Sequence, residues 1–345
     1  MAIAIFETRH GLLAHYTEDR VIGQSLDRYG EWAEEEIYLV SRFLSPGDTV
    51  LDIGANVGSH TIALSRVVGE MGRVVAVDGQ RRASEILNLN LLLNGTRNVS
   101  RIEGLVGCVD RVERVAEEAG ASIENLGGKS FVAGLGRGTG LPVPLFTIDS
   151  LALTTCRLMK IDVEGMEFDV MQGAVETLRR YRPVVYFEQT TPLNFSKIAD
   201  LLRGLGYDLY WHVANPFNRA NYRGDPINIF GGTCEVNVLA VHHSEAFALP
   251  KGIEAPAVAG DRYDPPPSAT GLSGWDLPPE AYADLPPACR QAMVAMPPPP
   301  DLVSRADYDR LQMRFCDLEQ DRTRAQEIMT YQADLIARLR QSEAA

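Results

Sequence analysis

Positive charge is scarce in this 345-residue chain: 33 Lys and Arg stand against 46 Asp and Glu, a formal net charge of −13. Phosphate backbones are held by basic faces, so this balance argues against nucleic acid as the main partner. The stretch 97–114 is mixed in sign and supplies no local basic patch. Cysteine is sparse as well. The five, at 108, 156, 234, 289 and 316, form no C-x-x-C pair and are odd in number. That pattern fits reduced thiols better than a disulfide framework or a zinc site. No apolar run approaches the ~20 residues needed to span a bilayer. The first twenty residues turn to Glu, Arg and His too soon for a signal peptide. These absences together predict a cytoplasmic protein with no membrane span.

What the chain does have is concentrated at Val50-Leu51-Asp52-Ile53-Gly54-Ala55-Asn56-Val57-Gly58. An apolar strand over 49–53 runs into a glycine-bearing turn, and a helix begins near Ser59, His60 and Thr61. Gly54 and Gly58 permit a tight turn and a close ligand approach. The unpaired N–H groups of the helix start suit a carboxylate or phosphate. About twenty residues on, a second strand over 73–77 ends in Asp78, placed to accept hydrogen bonds from ribose hydroxyls. A glycine turn followed by a ribose acid describes a nucleoside-bearing cofactor. A dinucleotide site would carry G-x-G-x-x-G, but the second glycine position here is Asn56 and a carboxylate, Asp52, precedes the turn. Asp52 is awkward beside a pyrophosphate and apt beside an ammonium. The expected cofactor is therefore S-adenosyl-L-methionine rather than a nicotinamide.

Residues 26–44 repeat apolar positions at helical spacing and end at Pro46-Gly47-Asp48. Strand and helix alternate from there. Strands are predicted at 49–53, 73–78, 99–106, 156–162 and 183–188, with helices at 59–69, 81–94, 110–119, 166–181 and 194–205. Such order means a mostly parallel sheet covered by helices on both faces. Two β-rich runs, 207–213 and 235–241, have no helix between them and should pair antiparallel. A seven-stranded parallel sheet closed by an antiparallel pair is the Rossmann-like shape of class I methyltransferases. The domains expected are an N-terminal helical cap (1–48), the methyltransferase domain (49–249), a linker (250–300) and a C-terminal helix (301–345). Twelve of the 20 prolines fall between 256 and 300, which predicts an extended linker. Beyond it, Leu311, Leu318, Ala325, Gln332 and Leu339 recur every seven residues, with Phe315, Arg322, Met329 and Ile336 as the second series. That repeat predicts a coiled coil over 301–343 and a homo-oligomer.

The second informative cluster is Lys160-Ile161-Asp162-Val163-Glu164-Gly165, at the carboxyl end of a strand, where open α/β sheets bind ligands. The next strand ends in Glu188, so three carboxylates are expected around one small volume. With Asp52–Gly58, Lys160–Gly165 and Arg182-Pro183-Val184-Val185-Tyr186-Phe187-Glu188, the chain resembles the FkbM family of S-adenosylmethionine-dependent methyltransferases. Gly30-Glu31-Trp32 and Thr147-Ile148-Asp149-Ser150-Leu151 are shorter supporting matches. The resemblance spans about residues 26–190. It implies O-methylation, commonly of a sugar hydroxyl in a glycan or of a natural-product hydroxyl, and it adds Glu31 to the donor-binding candidates. It departs from the family at the ribose position, where Asp78-Gly79-Gln80 replaces the usual Glu-Pro.

Loss of the acceptor proton calls for a base. Asp162 is the first candidate and Glu164 the second, with Glu188 beside them. The plainer readings are a helix-start acid for Glu164 and a strand-end hydrogen bonder for Glu188. The same carboxylates are able to hold Mg²⁺, an expectation ranked below a metal-free site. Lys160 is expected to pair with Glu188. His60 and His212 are further base candidates. The loop between the antiparallel strands, with Asn215, Phe217, Asn218 and Asn221, offers amides and an aromatic ring to a carbohydrate or small-molecule acceptor. Ordinary turn chemistry is the alternative. The expected function is O-methylation of a sugar hydroxyl in a glycan or its precursor. The alternatives are a natural-product tailoring enzyme and a non-catalytic oligomeric scaffold.

Overall fold

The computed structural model describes residues 2–115, 124–125, 127–128, 130, 140–190 and 192–245. The predicted linker and coiled coil lie outside the described residues. Four elements precede the first motif. A hairpin, β1 (Ile3–Thr8) and β2 (Gly11–Tyr16), leads to helices α1 (Ile22–Tyr29) and α2 (Glu34–Ser41). The single helix expected over 26–44 is thus two. Gly30, in the left-handed region at φ 69°, closes α1, its N–H reaching the Leu26 carbonyl oxygen. A helix commonly ends on such a glycine.

The alternating part follows: β3 (Thr49–Ile53), α3 (Ser59–Val68), β4 (Arg73–Asp78), α4 (Arg81–Leu93), β5 (Val99–Glu103) and β6 (Leu105–Val106). Residues 111–115 are a strand, β7 (Arg111–Val115), and not the start of the helix predicted at 110–119. β7 pairs antiparallel with β8 (Leu141–Phe146), which also pairs with β6. Val112 and Val115 are three apart, a helical spacing, so pairing with β8 rather than the local pattern sets the element. Next come β9 (Leu158–Ile161), α5 (Glu167–Gln172), α6 (Val175–Tyr181), β10 (Val184–Glu188), α7 (Pro192–Gly204), β11 (Tyr207–Ala214) and β12 (Glu235–His242). α5 and α6 replace one predicted helix, which breaks at Gly173.

Seven strands form the main sheet in the order β11-β12-β10-β9-β3-β4-β5. β12 alone runs against the rest, antiparallel to both β10 and β11. This is the class I methyltransferase-like α/β fold. β3 lies between β4 and β9, so the strand order reverses beside it and opens a crevice at the carboxyl ends. Both sheet faces are buried. Leu51, Ile53, Met159 and Ile161 pack under α5, α6 and α7. Val50, Leu158 and Val184 pack under α2 and α3. Among the described residues no helix is long and apolar enough to cross a membrane.

Candidate active site

The crevice is a cleft of roughly 1120 Å³, counting its open mouth, and it lies over the ends of β3, β4, β9, β10 and β12. The first turn is built as much for packing as for a ligand. Gly54 has φ 82°, and a Cβ there would collide with the Asp162 carbonyl oxygen, so glycine lets β3 approach the turn after β9. Gly58 has φ 90°, and a Cβ there would strike Leu87; it lies outside the cleft lining. Asn56 holds the left-handed conformation at φ 49°, which Asn tolerates better than most residues. Gly54, Ala55, Asn56, Ser59 and His60 all line the cleft.

Asp78 closes the adjacent strand. Its Oδ2 accepts the Asn56 N–H at 2.7 Å and its Oδ1 accepts the Gln80 N–H at 2.7 Å. Each oxygen keeps a lone pair for a further donor. Burial pushes the carboxyl up to about 6, against those two hydrogen bonds. Asp78, Gly79 and Gln80 line the cleft beside Leu105 and Val106. A buried acid next to an apolar wall suits a ribose and its base.

Asp52 departs from expectation. It shares a sheet face with Val50, is fully buried and does not line the cleft. Its Oδ2 accepts the Thr61 hydroxyl at 2.5 Å, and Lys160 Nζ lies 3.9 Å from its Oδ1. The carboxylate anchors α3 from below, because strand alternation turns it away from the ligand side. Lys160 pairs with Asp162 at 3.1 Å rather than with Glu188. Burial opposes its charge, but Asp162, Asp52 and Glu36 outweigh burial and hold the ammonium protonated.

Asp162, Glu164 and Glu188 do converge. Each offers a carboxylate oxygen, and these oxygens lie within 4.8 Å of one another. Such a set is able to hold a divalent cation, although octahedral Mg²⁺ needs further oxygens. Glu164 sits at φ 53°, a left-handed conformation worth ~1–3 kcal/mol of strain in a non-glycine residue. Burial, with Asp162 close by, pushes it up to about 7. Glu188 is raised too, by burial and then by Asp162 and Glu164, and one of its oxygens is buried without a hydrogen-bond partner.

The predicted acceptor loop and Glu31 take another role. The Asn218 side-chain amide donates to Glu31 Oε1 at 2.9 Å, and Arg9 pairs with Glu31 Oε2 at 2.7 Å. Asn221 donates to the carbonyl oxygens of Asn218 and Asp225. Phe217 packs on Tyr29 at 5.3 Å, and the Asn215 N–H donates to Glu35. None of the five lines the cleft. The loop clamps the N-terminal segment to the sheet, and the amides of Asn218 and Asn221 are consumed by the protein itself, whereas that of Asn215 is buried without a partner. His212 likewise lies off the cleft, its Nδ1 2.7 Å from the Tyr186 hydroxyl, and burial pushes it down to about 4.

Three lining residues escaped the sequence reading: Glu36, Glu235 and Asn237. A signal was present. Glu34, Glu35 and Glu36 are consecutive in a helix, so they cannot share one solvated face, and all three are buried. Glu235 and Asn237 stand two apart in an otherwise apolar strand, which puts both on one face.

The methyltransferase FkbM domain model matches residues 52–209. Residues 52–209 are a methyltransferase FkbM domain. Among solved structures, this chain is similar to the FkbM methyltransferase of Methylobacillus flagellatus KT, with 15% identity, a TM-score of 0.39 and coverage of 57% of this chain and 44% of that one. It is also similar to the precorrin-6y C5,15-methyltransferase of Geobacter metallireducens GS-15, at 14% identity, a TM-score of 0.39 and coverage of 66% and 98%. The ubiquinone/menaquinone biosynthesis C-methyltransferase UbiE of Vibrio vulnificus is 41% identical over 73 residues, or 21% of this chain. The match spans 25% of that curated relative's length.

Proposed function

We propose that the chain is an S-adenosylmethionine-dependent O-methyltransferase that methylates a sugar hydroxyl of a glycan or glycan precursor. The FkbM domain and the buried Asp78 beside the glycine turn support the donor. The bound donor supplies a methyl group on a sulfonium centre. Asp78, Gly79 and Gln80 would hold its ribose and adenine end, and Gly54, Ala55, Asn56 and Ser59 its amino-acid end.

The observation that carries the oxygen-directed reading is the convergence of Asp162, Glu164 and Glu188 at one point of the cleft. Transfer to a hydroxyl oxygen requires loss of its proton. Asp162 is held by Lys160, whereas Glu164 titrates near neutrality, so the base role passes to Glu164. Burial first, and then the like charge of Asp162, keeps that carboxyl raised.

Incubation with labelled methyl donor and a panel of glycans and nucleotide sugars tests the reading. Glu164→Gln should lower turnover by ~10²–10⁴-fold while leaving donor affinity intact. Unchanged turnover in this variant removes the proposed base. The 4.8 Å carboxylate set also supports a second reading, in which a divalent cation bridges enzyme and acceptor. Under the preferred reading, exhaustive chelation leaves the rate unchanged. Loss of rate with EDTA, restored by Mg²⁺, would establish the second. Homo-oligomerisation through 301–343 is part of the same proposal, on the strength of the heptad repeat.

A further inference from the structure

Deepening the methyl-transfer reading, and resting on it, we infer that the end of the cleft formed by α2 and β12 is the acceptor pocket, and that it takes a polyol bearing no acidic group, received by Glu36 and His60. In the sheet, β12 stands four strand spacings from β4, ~19 Å from the ribose acid. The groups at this end therefore lie beyond the nucleoside.

Their arrangement is that of a built site. Glu36 and His60 are 4% and 5% exposed, yet both line the cleft. The Asn237 side-chain amide donates to Glu36 Oε1 at 2.9 Å, and Glu235 shares a hydrogen bond with the same carboxylate. Glu36 is thereby fixed from two sides. His60 Nε2 lies 3.3 Å from Glu36 Oε2 but makes no hydrogen bond. A buried polar atom left in that state is unfavourable, and a ligand hydroxyl relieves it on binding. Hydroxyls both donate and accept, and a carboxylate next to an imidazole nitrogen offers the matching pair.

Charge sets the class. Among the described residues, Glu36, Asp78, Asp162, Glu164, Glu188 and Glu235 line the cleft, several of them held above the ordinary carboxyl range by burial, and the one lysine is already engaged by Asp162. Among the described lining residues no second cation is there to meet an acidic acceptor. A neutral or amine-bearing ring meets no such penalty.

The full chain is saturated with S-adenosylhomocysteine and titrated by calorimetry with methyl glucoside, glucosamine and glucuronate. Methyl glucoside and glucosamine should bind, and glucuronate should bind at least about tenfold more weakly. Glu36→Gln should weaken both binding probes with S-adenosylhomocysteine affinity unchanged. Glucuronate binding as tightly as the neutral probe overturns the inference, as does binding by neither of the other two. So does a Glu36→Gln variant that loses affinity for S-adenosylhomocysteine instead, which would assign the carboxylate to the donor. The wild-type comparison decides the charge selection even if the variant fails to fold. Failure of S-adenosylhomocysteine to bind the wild type brings down the methyl-transfer reading and this inference with it.

Discussion

Glu164 combines a left-handed backbone, partial burial and two acidic neighbours, and each contributes to its chemistry. The strained turn aims the carboxylate into the cleft, and burial with like charge moves its titration to about 7. A base acts only when deprotonated. Activity should therefore rise with pH through about 7 and level off above it. In kcat/KM profiles the acid limb should vanish in Glu164→Gln, where nothing at that position titrates. A limb that persists in the variant would belong to another group. Asp78 and Glu164 were both visible in the sequence, since each follows a strand in a recognisable motif. Asp52 was visible and misplaced. Its motif position is unambiguous, but the face it takes depends on strand alternation, which turns it under α3 with Thr61.

At the scale of elements, the N-terminal segment is held by buried charge rather than by helix propensity. Glu31 accepts from Arg9, from Asn218 and from the Tyr222 N–H at 2.7 Å, joining three separate stretches of chain. His10 lies 2.8 Å from Glu34, and the Asn215 N–H donates to Glu35. Removing one partner of a buried pair leaves the other charge uncompensated, at ~3–5 kcal/mol. Glu31→Ala should lose about that much in urea denaturation, and it should weaken acceptor use through displacement of α2 and Glu36. A loss under ~1 kcal/mol would mean that Arg9 finds water instead. This clamp was not legible in the sequence, because its partners are up to 191 positions apart and amide-rich loops look alike whether they serve a ligand or the protein. The split of 26–44 into two helices was legible in principle, from Gly30. The helix expected at 110–119 was not correctable from local pattern, because Val112 and Val115 stand at helical spacing and the strand is set by its pairing with β8.

For the whole molecule, the order of elements sufficed to give the sheet. Alternation required parallel strands, and two adjoining β runs required one reversal, which β12 supplies. The cleft could not be read the same way, since its acceptor end draws on α2 and β12, nearly 200 residues apart. Subunit number is the remaining property at this scale. In the series Leu311, Leu318, Ala325, Gln332, Leu339 and Phe315, Arg322, Met329, Ile336, seven of nine positions are apolar, which would make one stripe on the expected helix, otherwise rich in charge. A stripe spaced at 3.5 residues is buried most completely against another helix of the same kind. With Arg322 and Gln332 as polar interruptions, register is restricted and a single assembly is favoured over a mixture. Light scattering of the full chain should thus report more than one subunit. Replacing Leu311 and Leu318 together with Asp places charge in the seam and should return single chains, with donor binding retained because the described cleft lining falls within residues 21–237. Particles of unchanged mass in that double variant would show that the stripe packs elsewhere and that the repeat has no part in assembly.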